Sequence, residues 1–204
     1  MAFPHLDILP PAQRRLWDEL GAIPAEFTLY GGTALALRLG HRQSVDFDFF
    51  SNTALDIDRL QQQNTLMKSA QVLQAEPNTL TVQIDRGGAV KLSFFGGLGL
   101  GCVAPASITD PPGLRIAALE DLAATKFKVL PQRAESKDYL DIHALLQEGV
   151  SIDQMASWAA LVFGPQFNPY PSVKALTFYE DGDLAALPPE VKHALRGAAQ
   201  RFGA

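Results

Sequence analysis

The sequence predicts an α+β fold: a mixed-sheet half followed by a mainly helical half, with the boundary near residue 115. Two observations predict it. Up to that point, short apolar runs rich in β-branched and aromatic residues alternate with glycine-containing breaks. Two of these runs, residues 79–84 and 89–95, are joined by Asp85-Arg86-Gly87-Gly88, a strong hairpin signal. From about Ala118 onward the apolar residues fall at helical spacing, over residues 119–130, 135–146 and 152–162. The chain is therefore expected to divide into an α/β core, residues 1–115, and a helical part, residues 116–204.

Within the first part, residues 11–20 read as an amphipathic helix with Pro11 at its start, where the missing N–H costs little. Residues 27–30 form a short strand ended by Gly31-Gly32. Residues 33–39 form a short helix stopped by Gly40, the residue type that tolerates a left-handed closing conformation. A strand over 45–50 follows, then a helical stretch over 56–68 with one polar side, and a strand over 71–74 before the hairpin. In the second part, a joint rich in Pro, Phe, Asn and Tyr over 164–171 precedes a short helical run, and residues 188–201 read as a terminal helix. No internal repeat or low-complexity tract is present.

The composition narrows the classes of function. An apolar fraction of 47% in 204 residues supports a packed core and excludes a disordered chain. A net charge of −5 excludes a surface that attracts nucleic acid generically. A polyanionic substrate would have to use local clusters: Arg38, His41 and Arg42, or Lys126, Lys128, Arg133 and Lys137. The single cysteine, Cys102, cannot form an internal disulfide, fits a reducing compartment and is expected to be a small packed residue. The N-terminus carries neither a basic start nor a long apolar run, so no signal peptide is apparent. Residues 92–109 are uncharged, but their four glycines and one proline favour strand and loop over a membrane span. The expectation is a cytoplasmic protein with no membrane partner.

The most informative window is residues 30–50. Asp46 and Asp48 lie two positions apart on a strand, so they point to one face while Val45, Phe47 and Phe49 point to the other. Two like charges side by side are unfavourable unless a cation lies between them. A divalent ion is the simplest partner, and Mg²⁺ commonly binds together with phosphates. The flanking Val and Phe residues suggest a central strand, although paired aspartates also occur on solvated edges.

Fourteen residues before Asp46, Gly31 and Gly32 stand between a strand and a helix. There the backbone N–H groups can approach a phosphate with no side chain between, and the helix start adds partial positive charge. Thr33 can donate to the same phosphate or cap the helix. The alternative is a tight turn with an ordinary N-cap. Arg42 can bind phosphate or pair with Asp46 or Asp48. His41 lies in the same turn, and Ser44 can brace it.

Lys126 falls on the otherwise apolar stripe Leu119, Leu122, Ala123 and Leu130, so it must snorkel, pair or touch a ligand. Asp141 can pair with Lys137 on the helix surface, hold Lys126, or orient a substrate group.

The run Tyr30-Gly31-Gly32-Thr33, followed by His41-Arg42-x-Ser44-x-Asp46-Phe47-Asp48-Phe49, resembles the AbiEii/AbiGii-type nucleotidyltransferases, the toxin half of a class of bacterial toxin–antitoxin systems. A second block, Glu120-Asp121-Leu122-Ala123-Ala124-Thr125-Lys126 with Arg133, Lys137, Asp138 and Asp141, extends the likeness over residues 26–147. The resemblance implies a polymerase-β-like nucleotidyltransferase core with a helical C-terminal part. It further implies transfer of a nucleotide from an NTP, with Mg²⁺, to an acceptor such as tRNA or a protein, and an antitoxin partner. On that basis Gly32 and Thr33 would hold the triphosphate, joining Gly31 and Arg42 as read from the residues above. Asp46 and Asp48 would hold Mg²⁺, Lys126 would contact phosphate, and Asp141 would be the later acidic residue.

One departure stands out. Enzymes of this fold often carry a third carboxylate on a later strand, and the matching strand here offers Ser93, a weak metal ligand and a poor base. Asp85 or Asp141 substitutes, or the acceptor needs less help, or the chain binds nucleotide with little turnover. An ATP-using phosphotransferase is disfavoured, because no Gly-x-x-x-x-Gly-Lys loop or kinase-type catalytic loop is present.

Overall fold

A computed structural model describes residues 3–203. The chain forms two compact units, Met1–Leu100 with Pro105–Ala118, and Gly101–Ala104 with Leu119–Ala204. The first is α+β and the second helical.

The first unit is organised around a seven-stranded mixed sheet. Its strands are β1 (Thr28–Tyr30), β2 (Asp46–Phe50), β3 (Gln71–Glu76), β4 (Thr79–Asp85), β5 (Ala89–Phe95), β6 (Ser107–Ile108) and β7 (Arg115–Ile116), in the order β3-β4-β5-β2-β1-β7-β6. β2 runs parallel to β5 and β1 parallel to β7, while the other neighbours are antiparallel. Alternation along the strands gives the sheet two unlike faces. Leu29, Phe47, Phe49, Leu80, Val82, Ile84, Val90, Leu92, Phe94 and Ile116 make one of them, and all are fully buried. Phe94 is its aromatic centre, stacked on Phe49 at 5.1 Å between ring centroids and meeting Phe27 edge-on at 5.3 Å.

Helices α1 (Pro11–Leu16), α2 (Gly31–Leu39) and α3 (Ile57–Gln63) complete this unit. The expected first helix tightens after Leu16 into a 3₁₀ segment, Trp17–Ala22, which buries Trp17 and Leu20. The expected helix over 56–68 breaks at Asn64. The Asn64 side chain accepts from Leu66 N at 2.9 Å and donates to Ala22 O at 3.0 Å, which starts a separate 3₁₀ turn. At the β4–β5 hairpin, Asp85 Oδ1 accepts from the N–H groups of Gly87 (2.7 Å) and Gly88 (3.0 Å), and those bonds hold its carboxyl below the usual range.

Three expectations need correction. Val45 does not share the buried face, because the strand begins at Asp46 and leaves Val45 51% exposed. Cys102 is exposed rather than packed: it follows the glycine-rich run 96–101 and donates to Ala104 O at 2.9 Å. Arg38 is spent within the fold, donating to Ala117 O (2.7 Å), Ser107 Oγ (3.1 Å) and Ile116 O (3.2 Å), so it anchors α2 to the β6–β7 edge.

The second unit comprises α4 (Leu119–Val129), α5 (Ser136–Gln147), α6 (Ile152–Phe163), α7 (Tyr170–Ala175) and α8 (Pro189–Gln200). α4 packs against α6 and α5, and α5 against α8. A capping box of Ser151 and Gln154 starts α6, satisfying two donors that the first helical turn would otherwise leave without partners. No helix among the described residues is long and apolar enough to cross a membrane.

Candidate active site

The second face of the sheet carries the candidate site residues Asp46 and Asp48. Register places Asp46 beside Lys91, and Asp48 between Ser93 on β5 and Tyr30 on β1. Phe50 and Phe95 form the next row, and Tyr30 stacks on Phe50 with centroids 4.8 Å apart. Asp46 and Asp48 are half-buried, while the intervening Phe47 is fully buried. The strand thus uses its apolar side chains as anchors and presents both carboxylates on one side.

β1 runs directly into α2 at Gly31, so the two glycines form the first turn of the helix and no side chain caps it. Gly31 adopts φ +73°, a conformation that favours glycine. A Cβ at Gly31 would stand 2.7 Å from Asp48 Oδ2. At Gly32 it would stand 2.5 Å from Arg42 Nη2 and 3.3 Å from Ser44 Oγ. The glycines therefore have no side chains because a carboxylate and a guanidinium occupy that space. Arg42 also donates to Gln43 O at 2.9 Å.

Thr33 plays a different part from its neighbours. It is 1% exposed, and its hydroxyl donates to the Asp46 carbonyl and meets Ser44 Oγ at 2.8 Å. These bonds pin the start of α2 to the start of β2, fixing the helix terminus relative to the carboxylates. Ser44 braces the turn in the same way.

Asp46 Oδ2 forms an ion pair with Lys91 Nζ at 3.0 Å. Sequence reasoning missed Lys91. The signal that finds it is its phase with Ser93 and Phe95, but that phase informs only once β5 is known to lie parallel beside β2.

Two half-exposed carboxylates on one face, beside a helix start opened by glycines, fit Mg²⁺. That ion keeps several waters and is held by one or two carboxylates plus substrate phosphates rather than by an all-protein cage. Among the described residues, no group of three or more His, Cys, Asp or Glu side chains could hold a metal ion. The donor set suits an ion that shares its coordination with a nucleotide. Asp85 does not complete it: its carboxylate is bound into the hairpin turn, and its register partner is Ala89.

In the second unit, Lys126 and Asp141 come together. Lys126 is 4% exposed, with Nζ 2.8 Å from Asp138 Oδ1 and 2.6 Å from Asp141 Oδ2. Arg133 closes the cluster with Nε 2.7 Å and Nη2 3.0 Å from the two Asp138 oxygens. Both aspartates are fully buried. Lys137 pairs instead with Glu135 at 2.8 Å. Among the readings open for Asp141, the one realised is contact with Lys126. Lys126 and Arg133, expected as parts of a basic patch, are held by buried carboxylates.

The chain is similar to several known proteins. Residues 15–197 match the family described as nucleotidyl transferase AbiEii toxin, type IV TA system. An uncharacterized protein of Aquifex aeolicus is 34% identical over 125 residues, which span 60% of this chain and 59% of that protein's length. The fold is similar to that of MenT4, a nucleotidyltransferase toxin from Mycobacterium tuberculosis, with TM-score 0.60, 15% identity and coverage of 93% of this chain and 82% of that one. It is also similar to a candidate nucleotidyltransferase from H. pylori, with TM-score 0.55, 19% identity and coverage of 92% and 90%. The match over residues 15–197 takes in the glycine turn, the aspartate strand and the buried lysine cluster alike, and the chain belongs to the AbiEii nucleotidyl transferase toxin family.

Proposed function

We propose that this chain is an Mg²⁺-dependent nucleotidyltransferase that moves a nucleotide from an NTP to an acceptor, tRNA or protein, as the toxin of a toxin–antitoxin pair in the cytoplasm. The observation that carries this reading is the contact surface shared by Gly31 and Asp48, with Asp46 on the same face. It joins an anion-binding helix start to a pair of carboxylates, and each supplies what the other lacks.

In the reaction, an acceptor hydroxyl attacks the α-phosphorus. A new O–P bond forms as the bond to the α–β bridging oxygen breaks, pyrophosphate leaves, and the hydroxyl proton passes to solvent water. Such transfers depend mainly on positioning and charge neutralisation. The N–H groups of Gly31 and Gly32 receive phosphate oxygens, with the Arg42 guanidinium beside them, while Thr33 fixes the turn through Asp46 O. Asp46 and Asp48 would hold Mg²⁺, which when bound neutralises charge on the phosphates. Lys126, whose ammonium Asp138 and Asp141 hold, is proposed as a phosphate contact on the strength of the family resemblance. Asp141 serves as the later acidic residue by orienting that ammonium.

The experiment is pyrophosphate release from each NTP with Mg²⁺ in the presence of total tRNA or protein extract. Release by the wild type and its loss in Asp46→Asn/Asp48→Asn supports the reading, and equal release by both opposes it. A second reading, a module that binds nucleotide with little turnover, is favoured by Ser93 standing opposite Asp48 where a third carboxylate is expected. It forecasts stabilisation by NTP and Mg²⁺ with no pyrophosphate formed.

A further inference from the structure

The strand beside the carboxylates does more than omit a third acid: it supplies a cation. β5 places Lys91 opposite Asp46 and Ser93 opposite Asp48 in one continuous register. The next row is aromatic, with Phe95 beside Phe50. Along this face, Asp46 and Asp48 are the acids of β2, and Lys91 is the one charged side chain that β5 contributes to the same face. Its Nζ lies 3.0 Å from Asp46 Oδ2.

A half-exposed lysine–aspartate pair ordinarily contributes little to stability, with a median of about 0–1 kcal/mol. Its position makes this one consequential. A site holding two divalent ions needs enough negative charge to keep both close together. Here the acid row of β2 is partly neutralised from β5 before any ion binds. A unit positive charge within a few ångströms of a divalent ion also repels it directly.

We infer that Lys91 is a built-in counter-ion of the Asp46–Asp48 pair, a positioning residue that holds Asp46 through one oxygen and limits the site to a single divalent ion. The inference rests on the proposed role of the carboxylates, and it adds a stoichiometry and a residue to that role. In place of the third carboxylate and second metal, the chain uses a fixed ammonium. The same ammonium offsets part of the negative charge of Asp46 before the nucleotide arrives.

The probe is Mn²⁺, followed by the loss of its free-ion electron paramagnetic resonance signal, with purified full chain and a non-hydrolysable NTP analogue. Wild type should bind one ion per chain at this site. Lys91→Met should bind Mn²⁺ about tenfold more tightly without nucleotide, the order expected for removing a unit charge a few ångströms from a divalent ion in a water-like medium. With the analogue present, it should admit a second ion. Lys91→Arg, which keeps the charge, should behave as wild type, a rescue that a merely structural role would not produce. The Lys91 side chain is 43% exposed, so these variants are compatible with folding.

Two ions bound by wild type, or identical Mn²⁺ affinity and stoichiometry in wild type and Lys91→Met, overturns the inference. Asp46→Asn/Asp48→Asn separates that failure from failure of the reading beneath it. If the double variant still binds Mn²⁺ like wild type, the carboxylates are not the metal site. If binding is lost there but unaffected by Lys91→Met, the carboxylate site stands and only the role of Lys91 falls.

Discussion

A methyl group on Gly31 would stand 2.7 Å from Asp48 Oδ2, so the glycine and the carboxylate are fitted to each other. Gly31→Ala should therefore act on the site and on the fold by separate routes. The positive φ of +73° makes alanine unfavourable by about 1–2 kcal/mol. The contact itself is with the end of a side chain, which can swing away and take the proposed metal ligand with it. Displacements of that kind cost about tenfold to a hundredfold in rate. Urea denaturation and pyrophosphate release measure the two effects, and an unchanged rate in a protein of normal stability would contradict the fit.

Gly32→Ala should show the opposite sign in stability. Gly32 lies in the first turn of α2 without a positive φ, so alanine is tolerated by the backbone and can add up to about 1 kcal/mol. Its Cβ would meet Arg42 Nη2 at 2.5 Å and displace the guanidinium from its proposed place beside the phosphates. Calorimetry should show NTP affinity falling about tenfold, the effect of one charge-assisted contact, while the melting temperature holds or rises.

The buried cluster of the second unit should be sensitive to loss of one partner. Asp138 is fully buried and bonds both Lys126 and Arg133. Asp138→Ala leaves two cations short of a carboxylate and should cost about 3–5 kcal/mol in urea denaturation. A loss below about 1 kcal/mol, the range of exposed ion pairs, would mean that the cluster is solvated.

Alkaline pH should weaken the second unit. Burial pushes the Tyr139 hydroxyl up to about 12, with Tyr179, Asp138 and Asp181 acting in the same direction. The folded state keeps its proton where the unfolded chain loses it. The contribution is therefore complete below pH 10 and lost as pH rises towards 12, amounting to at most about 2–3 kcal/mol. Tyr139→Phe should lose the hydrogen bond to Ala175 O and show a smaller decline over that window. An equal decline in wild type and variant would assign the effect elsewhere.

The α+β class, the hairpin and the two aspartates on one face were legible in the sequence because each rests on local signals. Alternation around Phe47 and Phe49 fixes the face, and Asp85 with Gly87 and Gly88 fixes the turn. What was not legible depends on neighbours distant in the chain. Lys91 gains its meaning only from the parallel pairing of β2 with β5. Thr33 looked available to phosphate, yet its hydroxyl is used by Asp46 O and Ser44. Lys126 on an apolar stripe signalled a buried partner, but its spacing did not select between Asp138 and Asp141, and both hold it.

The central claim is tested most directly by following label from α-³²P NTPs into macromolecular acceptors in the presence of Mg²⁺. Purified wild-type chain should transfer label to tRNA or to protein, and Asp46→Asn/Asp48→Asn should transfer at least about a thousandfold less, the scale on which transition-state charge stabilisation acts. Equal labelling by both proteins, or no labelling with any NTP and either acceptor class, would contradict it.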